Sequence, residues 1–197
     1  MYETYIKRIL DIVLSLIALI LLAIPMLIIS IVVKATSPGP VLFWQDRVGK
    51  HKKIFRMPKF RTMYTNAPKN TPTHLLHHAE SFITPVGRVL RGSSMDEFPQ
   101  LFCILKGEMS FVGPRPALWN QEDLIAERDL YGANDVLPGL TGWAQINGRD
   151  ELPIPVKARY DGEYVKNITF LFDCKCFFRT FRKALSHEGV VEGDKTK

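Results

Sequence analysis

The sequence predicts an α+β fold, mostly helical: a re-entrant membrane helix over residues 1–36, then a small domain on the cytoplasmic face over 37–197, with a short β-hairpin and amphipathic helices lying in the membrane interface. Three observations predict it. No charged residue occurs between positions 12 and 33. Two short apolar runs flank a turn centred on Gly49. Near the C-terminus, phenylalanines are interleaved with lysines and arginines.

A bilayer is crossed by about 20 apolar residues in a helix, and the first run is long enough. A secretory signal would end in a small-residue cleavage site; this run ends at Lys34 without one. Pro25 sits just past its middle, where a proline removes a helix hydrogen bond and pushes the axis aside. Lys7 and Arg8 precede the run, and Lys34, Arg47, Lys50, Lys52 and Lys53 follow it. Lysine and arginine favour the cytoplasmic side. Both flanks satisfy that preference only if the helix breaks at Pro25 and returns; a kinked transmembrane helix is the alternative. Asp11 is expected at headgroup depth beside Lys7 and Arg8, because burying it alone is costly.

Ser37-Pro38-Gly39-Pro40 is a turn cluster that ends the membrane element. Residues 41–44 and 53–56 read as the two strands of the hairpin. Residues 66–73 form a polar loop with two prolines. Helices are expected over 84–90, over 98–105 with Gly107 ending it, and over 117–131; residues 138–149 read as a glycine-bearing loop. In the tail, Phe170, Leu171, Phe172, Phe177, Phe178 and Phe181 alternate with Lys175, Arg179, Arg182 and Lys183. That composition suits a helix with its rings in the bilayer and its cations on anionic lipid, in preference to one packing all its rings inward. Residues from 187 onward are expected to fray.

A formal charge of +6 and a pI near 9.3 attract anions: nucleic acid, anionic lipid or phosphorylated substrates. The apolar segment favours the last two, and no aromatic RNA signature or zinc-finger spacing points to nucleic acid. Cys103, Cys174 and Cys176 are too few for a disulfide framework, and the Cys-x-Cys pair lacks a second ligand pair for a metal.

The stretch Arg88-Val89-Leu90-Arg91-Gly92-Ser93-Ser94-Met95-Asp96-Glu97-Phe98-Pro99 carries the most chemistry. Its structural reading is a capping box of Ser94 and Glu97. A helix starting at Asp96 instead puts Pro99 in the first turn, where its missing N–H costs nothing. Either way both acids lie where backbone N–H groups converge, so Asp96 is expected to stay ionised and a phosphate to bind beside it. Arg91 and Arg88 supply cations, and an ionised aspartate beside a bound pyrophosphate is a candidate nucleophile. Gly113-Pro114-Arg115-Pro116 clamps an arginine between prolines, which lowers the entropy lost when its fork engages a phosphate. The 138–149 loop adds Arg149, and Lys59 and Arg61 are further phosphate contacts or solvated charges.

Taken together, Lys7-Arg8-Ile9-Leu10-Asp11, Lys59-Phe60-Arg61-Thr62-Met63, the Asp96-Glu97 dyad, the 105–116 segment and the 138–149 loop resemble, in order, the monotopic phosphoglycosyl transferases in a minimal single-domain form. The helix break reads Ile24-Pro25 where a Ser-Pro pair is familiar in that family. The resemblance implies a re-entrant helix broken at Pro25 and a catalytic domain on the cytoplasmic face of the bacterial inner membrane. It implies a two-step reaction in which Asp96 attacks the β-phosphate of a UDP-sugar, releases UMP, and passes the sugar phosphate to polyprenyl (undecaprenyl) phosphate, at the start of surface-glycan assembly. Glu97 would act as general base or positioning group, Mg²⁺ would sit on the pyrophosphate with Asp96 as protein ligand, and Arg91 and Arg115 would hold phosphate oxygens. Arg149 would face the nucleotide. Membrane lipid is the further partner, and the exposed helices permit a homodimer. Two rivals remain at this level: a lipid-binding scaffold without catalysis, and a phosphatase of lipid pyrophosphates.

Overall fold

The computed structural model describes residues 1–68, 78–148 and 152–186. A π-helical turn, Tyr2–Ile6, leads into α1, Lys7–Thr36. Next come β1 (Leu42–Val48), β2 (Ile54–Phe60), α2 (Ala79–Phe82) and α3 (Pro85–Gly92). A 3₁₀ helix, Met95–Gln100, runs into α4 (Leu101–Lys106), followed by β3 (Ser110–Val112) and α5 (Glu122–Asp129). β4 (Gly139–Thr141), α6 (Trp143–Ile146), α7 (Ile154–Lys166) and α8 (Phe170–Ser186) complete the described chain.

α1 is held along its length by one stripe. Asp11, Ser15, Ile29 and Val33 are buried. Ala18, Leu19 and Leu22 pack against Phe55, Met57, Leu101 and Ile104, and Met26 joins Ile29 and Val33 against Phe60 and Leu90. These positions recur every three or four residues, the spacing of one helix face. The opposite face, with Ile20, Leu21, Ile24, Leu27 and Ile31, is exposed and wholly apolar. The helix runs on through Pro25 without an interruption in its backbone hydrogen-bonded span.

Both ends of α1 are bonded to the same body. Arg8 Nη1 and Nη2 donate to the Ile104 and Leu105 carbonyls at 2.6 and 2.8 Å, satisfying acceptors that the end of α4 leaves open. Asp11, expected beside Lys7 and Arg8, does lie in the field of both. It is buried, and its Oδ1 accepts from Ser110 Oγ at 3.1 Å and the Phe111 N–H at 3.0 Å. The start of β3 therefore supplies partners that the local sequence does not reveal.

The hairpin forms as expected and is longer than predicted, pairing antiparallel from Leu42 opposite Phe60 to Val48 opposite Ile54. α3 starts at Thr84, whose Oγ1 accepts from the Gly87 N–H at 2.9 Å, with Pro85 in the first turn. A Cβ on Gly87 would fall 2.0 Å from the Thr62 carbonyl oxygen, so glycine is what lets α3 press onto the end of the hairpin. The helix expected over 117–131 is shorter, Glu122–Asp129. The predicted 138–149 loop contains β4, which pairs parallel with β3 (Ser110 opposite Gly139, Val112 opposite Thr141), and then α6. Part of the predicted 66–73 loop and the tail from 187 lie outside the described residues.

α8 divides its rings. Phe172 stacks on Trp143 with centroids 4.9 Å apart and joins the core with Tyr164, and Phe177 meets Phe111 edge-on. Phe170, Leu171 and Phe178 point outward. One face of α8 is therefore core, and only the other leaves its rings exposed as the interfacial reading of the tail requires. Asp173 ties this helix to the N-terminus: it accepts from Lys7 Nζ at 2.5 Å, Tyr2 Oη at 2.6 Å and Tyr164 Oη at 2.8 Å.

Candidate active site

The chain leaves α3 through Ser94, whose φ of +57° is left-handed. That conformation costs a non-glycine residue on the order of 1 kcal/mol. An N-cap serine ordinarily sits in the extended region, so the expected Ser94–Glu97 capping box does not form, and Ser94 makes no side-chain cap bond. The reversal instead starts the 3₁₀ helix and directs both acids toward β2.

The two acids have different surroundings. Glu97 Oε1 accepts from Lys59 Nζ at 2.8 Å and from Arg115 Nη2 at 3.3 Å. Asp96 is 7% exposed, yet no hydrogen bond or ion pair reaches its carboxylate among the described residues. Burial pushes the Asp96 carboxyl up to about 6; the charge on Glu97 adds to that, while Lys59, Arg91 and Arg115 oppose it. Desolvation, and not the helix end, thus dominates its ionisation, contrary to the expectation from the sequence. Burial also pushes the Lys59 ammonium down, with Glu97 opposing it.

Arg91 reaches the site from the last turn of α3, where its Nη1 lies 3.4 Å from Thr62 Oγ1. Arg88, one turn earlier, is exposed. Arg115 sits on a strap whose carbonyls are fixed one after another. Pro114 O accepts from the Gly139 N–H, Arg115 O from Arg128 Nη1, Pro116 O from Arg47 Nη1, and Ala117 O from the Val48 N–H. Arg128 is itself locked by Asp161 Oδ2, at 2.8 Å from Nε and 2.6 Å from Nη2. The glycines make this fit possible, since a Cβ on Gly142 would fall 2.1 Å from the Gly113 carbonyl oxygen.

Arg61 does something else. Buried, it donates to the carbonyls of Val33, Ser37 and Pro38 and so caps the end of α1. Its predicted role as a phosphate contact is replaced by anchoring of the membrane helix, because those orphan carbonyls lie within its reach. Arg149 lies outside the described residues. The fold therefore gathers Asp96, Glu97, Lys59, Arg91 and Arg115, leaves Arg88 at the rim, and diverts Arg61. Arg47 and the Arg128–Asp161 pair were not anticipated. Asp161 lies 33 positions from Arg128, and no local pattern links them.

The site thus holds a sunken acid without a direct partner in the field of three cations, in a domain whose first helix keeps an exposed apolar face. The bacterial sugar transferase family matches residues 2–187, and the chain belongs to that family of enzymes. It is 39% identical over 186 residues to the uncharacterized sugar transferase EpsL of Bacillus subtilis (strain 168), covering 94% of this chain and 90% of that one. It is 36% identical to the UDP-N-acetylgalactosamine-undecaprenyl-phosphate N-acetylgalactosaminephosphotransferase of Aeromonas hydrophila, covering 94% of this chain and 45% of that one. It is 38% identical to the UDP-glucose:undecaprenyl-phosphate glucose-1-phosphate transferase of Escherichia coli (strain K12), covering 93% of this chain and 41% of that one. The chain thus spans nearly all of EpsL and less than half of the other two.

Proposed function

We propose that this protein transfers a sugar-1-phosphate from a UDP-sugar to polyprenyl phosphate, releasing UMP, through an aspartyl-phosphosugar intermediate on Asp96. The observation that carries the reading is the contrast between neighbouring acids. Glu97 is neutralised by two cations, whereas Asp96 is held in their field with no direct partner. An anion kept near cations but left unbonded is placed to attack phosphorus. In the first step an Asp96 oxygen bonds to the β-phosphorus, and the bond to the bridging oxygen breaks, its electron pair leaving with UMP. In the second, the phosphate of the polyprenyl acceptor attacks the same phosphorus and frees the carboxylate. Arg91, Arg115 and Lys59 hold the equatorial oxygens, where charge builds up. Glu97 acts as a positioning group that holds Lys59 and Arg115 beside the site until substrate phosphates engage them.

No cluster of three metal-ligating side chains occurs among the described residues. Mg²⁺ needs none when substrate phosphates supply most of its oxygens, and the unbonded Asp96 carboxylate fits the single protein ligand required. When bound there, Mg²⁺ supplies charge neutralisation on the pyrophosphate.

The membrane arrangement proposed is monotopic, on the cytoplasmic face. Arg8 at one end of α1 and Ser37 at the other are bonded to the same domain, and the stripe between them packs against it. A helix crossing the bilayer would carry one end about 30 Å away from any domain on the other side. Pro25, half-buried within α1, is where the re-entrant path would bend.

The test is UMP release from a panel of UDP-sugars by protein in polyprenyl-phosphate liposomes. Asp96→Asn is expected to lower release by at least about 10³-fold and to leave no phospho-sugar on the protein by mass spectrometry. Inorganic phosphate release in place of UMP would favour the phosphatase, and unaltered turnover in the variant would exclude the aspartyl route.

A further inference from the structure

Gln100 ends the 3₁₀ helix that begins at Met95, is 3% exposed, and its Nε2 is enclosed without a hydrogen-bond partner among the described residues. An enclosed amide donor with nothing to bond costs stability, so a native chain that retains one calls for an explanation. In a 3₁₀ helix side chains three residues apart eclipse each other, which stacks Gln100 on Glu97, about 6 Å along the axis. Glu97 is the residue whose partners the reaction takes away. In the free protein its Oε1 holds Lys59 and Arg115, the two cations that the proposed function assigns to substrate phosphate oxygens. Once they turn to the phosphates, a largely buried carboxylate gives up two charged donors, a costly change.

We infer that Gln100 is a positioning residue for the substrate complex: its Nε2 donates to the Glu97 carboxylate when Lys59 and Arg115 engage the pyrophosphate. The amide is idle in the free protein and occupied in the complex. Its worth therefore appears in substrate affinity and not in the stability of the free chain. Enclosure of Nε2 supports an internal partner over a substrate oxygen, which could not reach an atom closed to solvent.

This inference rests on the proposed function, and equilibrium binding separates the two. Affinity for UDP is measured on full-length protein in detergent micelles, for wild type, Gln100→Met, Glu97→Gln and the double variant. Gln100→Met keeps the volume and removes the amide. It is expected to unfold at the wild-type temperature or higher and to bind UDP roughly 10- to 100-fold more weakly, the worth of one hydrogen bond to a charged group. In the Glu97→Gln background, where no carboxylate needs the donor, the same change is expected to have little further effect. Wild-type affinity in Gln100→Met, or an equal loss with and without Glu97, overturns the inference even if UMP release still depends on Asp96. Should Gln100→Met not fold, Gln100→Glu places a second carboxylate on Glu97 and is expected to weaken UDP binding at least as much; unchanged affinity there also overturns it.

Discussion

At the scale of single residues, the site separates two adjacent acids by giving their charges different compensation. Glu97 is paired and Asp96 is not, so the same burial leaves one carboxylate in an ion network and raises the other toward neutrality. Because the folded-state value for Asp96, about 6, lies above its ordinary 3.8, the folded chain holds an extra proton between those limits. Stability contributed by the protonated form is present below about 4 and is lost as pH rises through 6. Asp96→Asn removes that loss. Thermal unfolding from pH 4 to 7.5 is expected to show the variant gaining on wild type across this window, and parallel curves would contradict the assignment. Attack requires the ionised acid, so UMP release at low substrate should climb about tenfold per unit below pH 6 and level off above it.

At the scale of elements, short pieces are made rigid by long-range bonds. β3 and β4 contribute three residues each, too few to be stable alone, yet they set the strap from Gly113 to Ala117 that presents Arg115. Arg128 and Asp161 join α5 to α7 beneath that strap and are nearly inaccessible to solvent. Truncating one partner strands the other charge, so Asp161→Ala is expected to cost about 3–5 kcal/mol. Its loss also releases the Arg115 carbonyl from its donor, and transfer should fall more steeply than the folded fraction does. Calorimetry beside UMP release measures both. A variant that stays as stable as wild type would show the pair to be dispensable.

For the whole molecule, the membrane helix is both a lipid anchor and a structural wall of the domain. Its inner stripe completes two core clusters, and its outer face is apolar and exposed. Single cysteines at Glu3 and at Thr36, placed in a chain whose three native cysteines are replaced, should both react with an impermeant maleimide only from the cytoplasmic side. Labelling of either from the opposite side would rule out the monotopic arrangement. The outward rings of α8 and Phe102 of α4 belong to the same scale, as further exposed apolar side chains outside α1.

What could be read from the chain alone were features encoded in neighbouring residues. The uncharged run, the charges flanking it, the hairpin around Gly49, the helix over 84–90, the stop at Gly107 and the acid–arginine grouping from Arg88 to Glu97 are all local patterns. Local patterns survive without knowledge of what packs where. Contacts between residues remote in sequence decided the rest. Asp11 met Ser110, Arg61 turned to the end of α1, Phe172 and Phe177 went inward while Phe178 stayed out, and Glu97 took the cations that left Asp96 unbonded. Burial and charge compensation depend on which side chains the fold brings together, and no spacing within a segment specifies that.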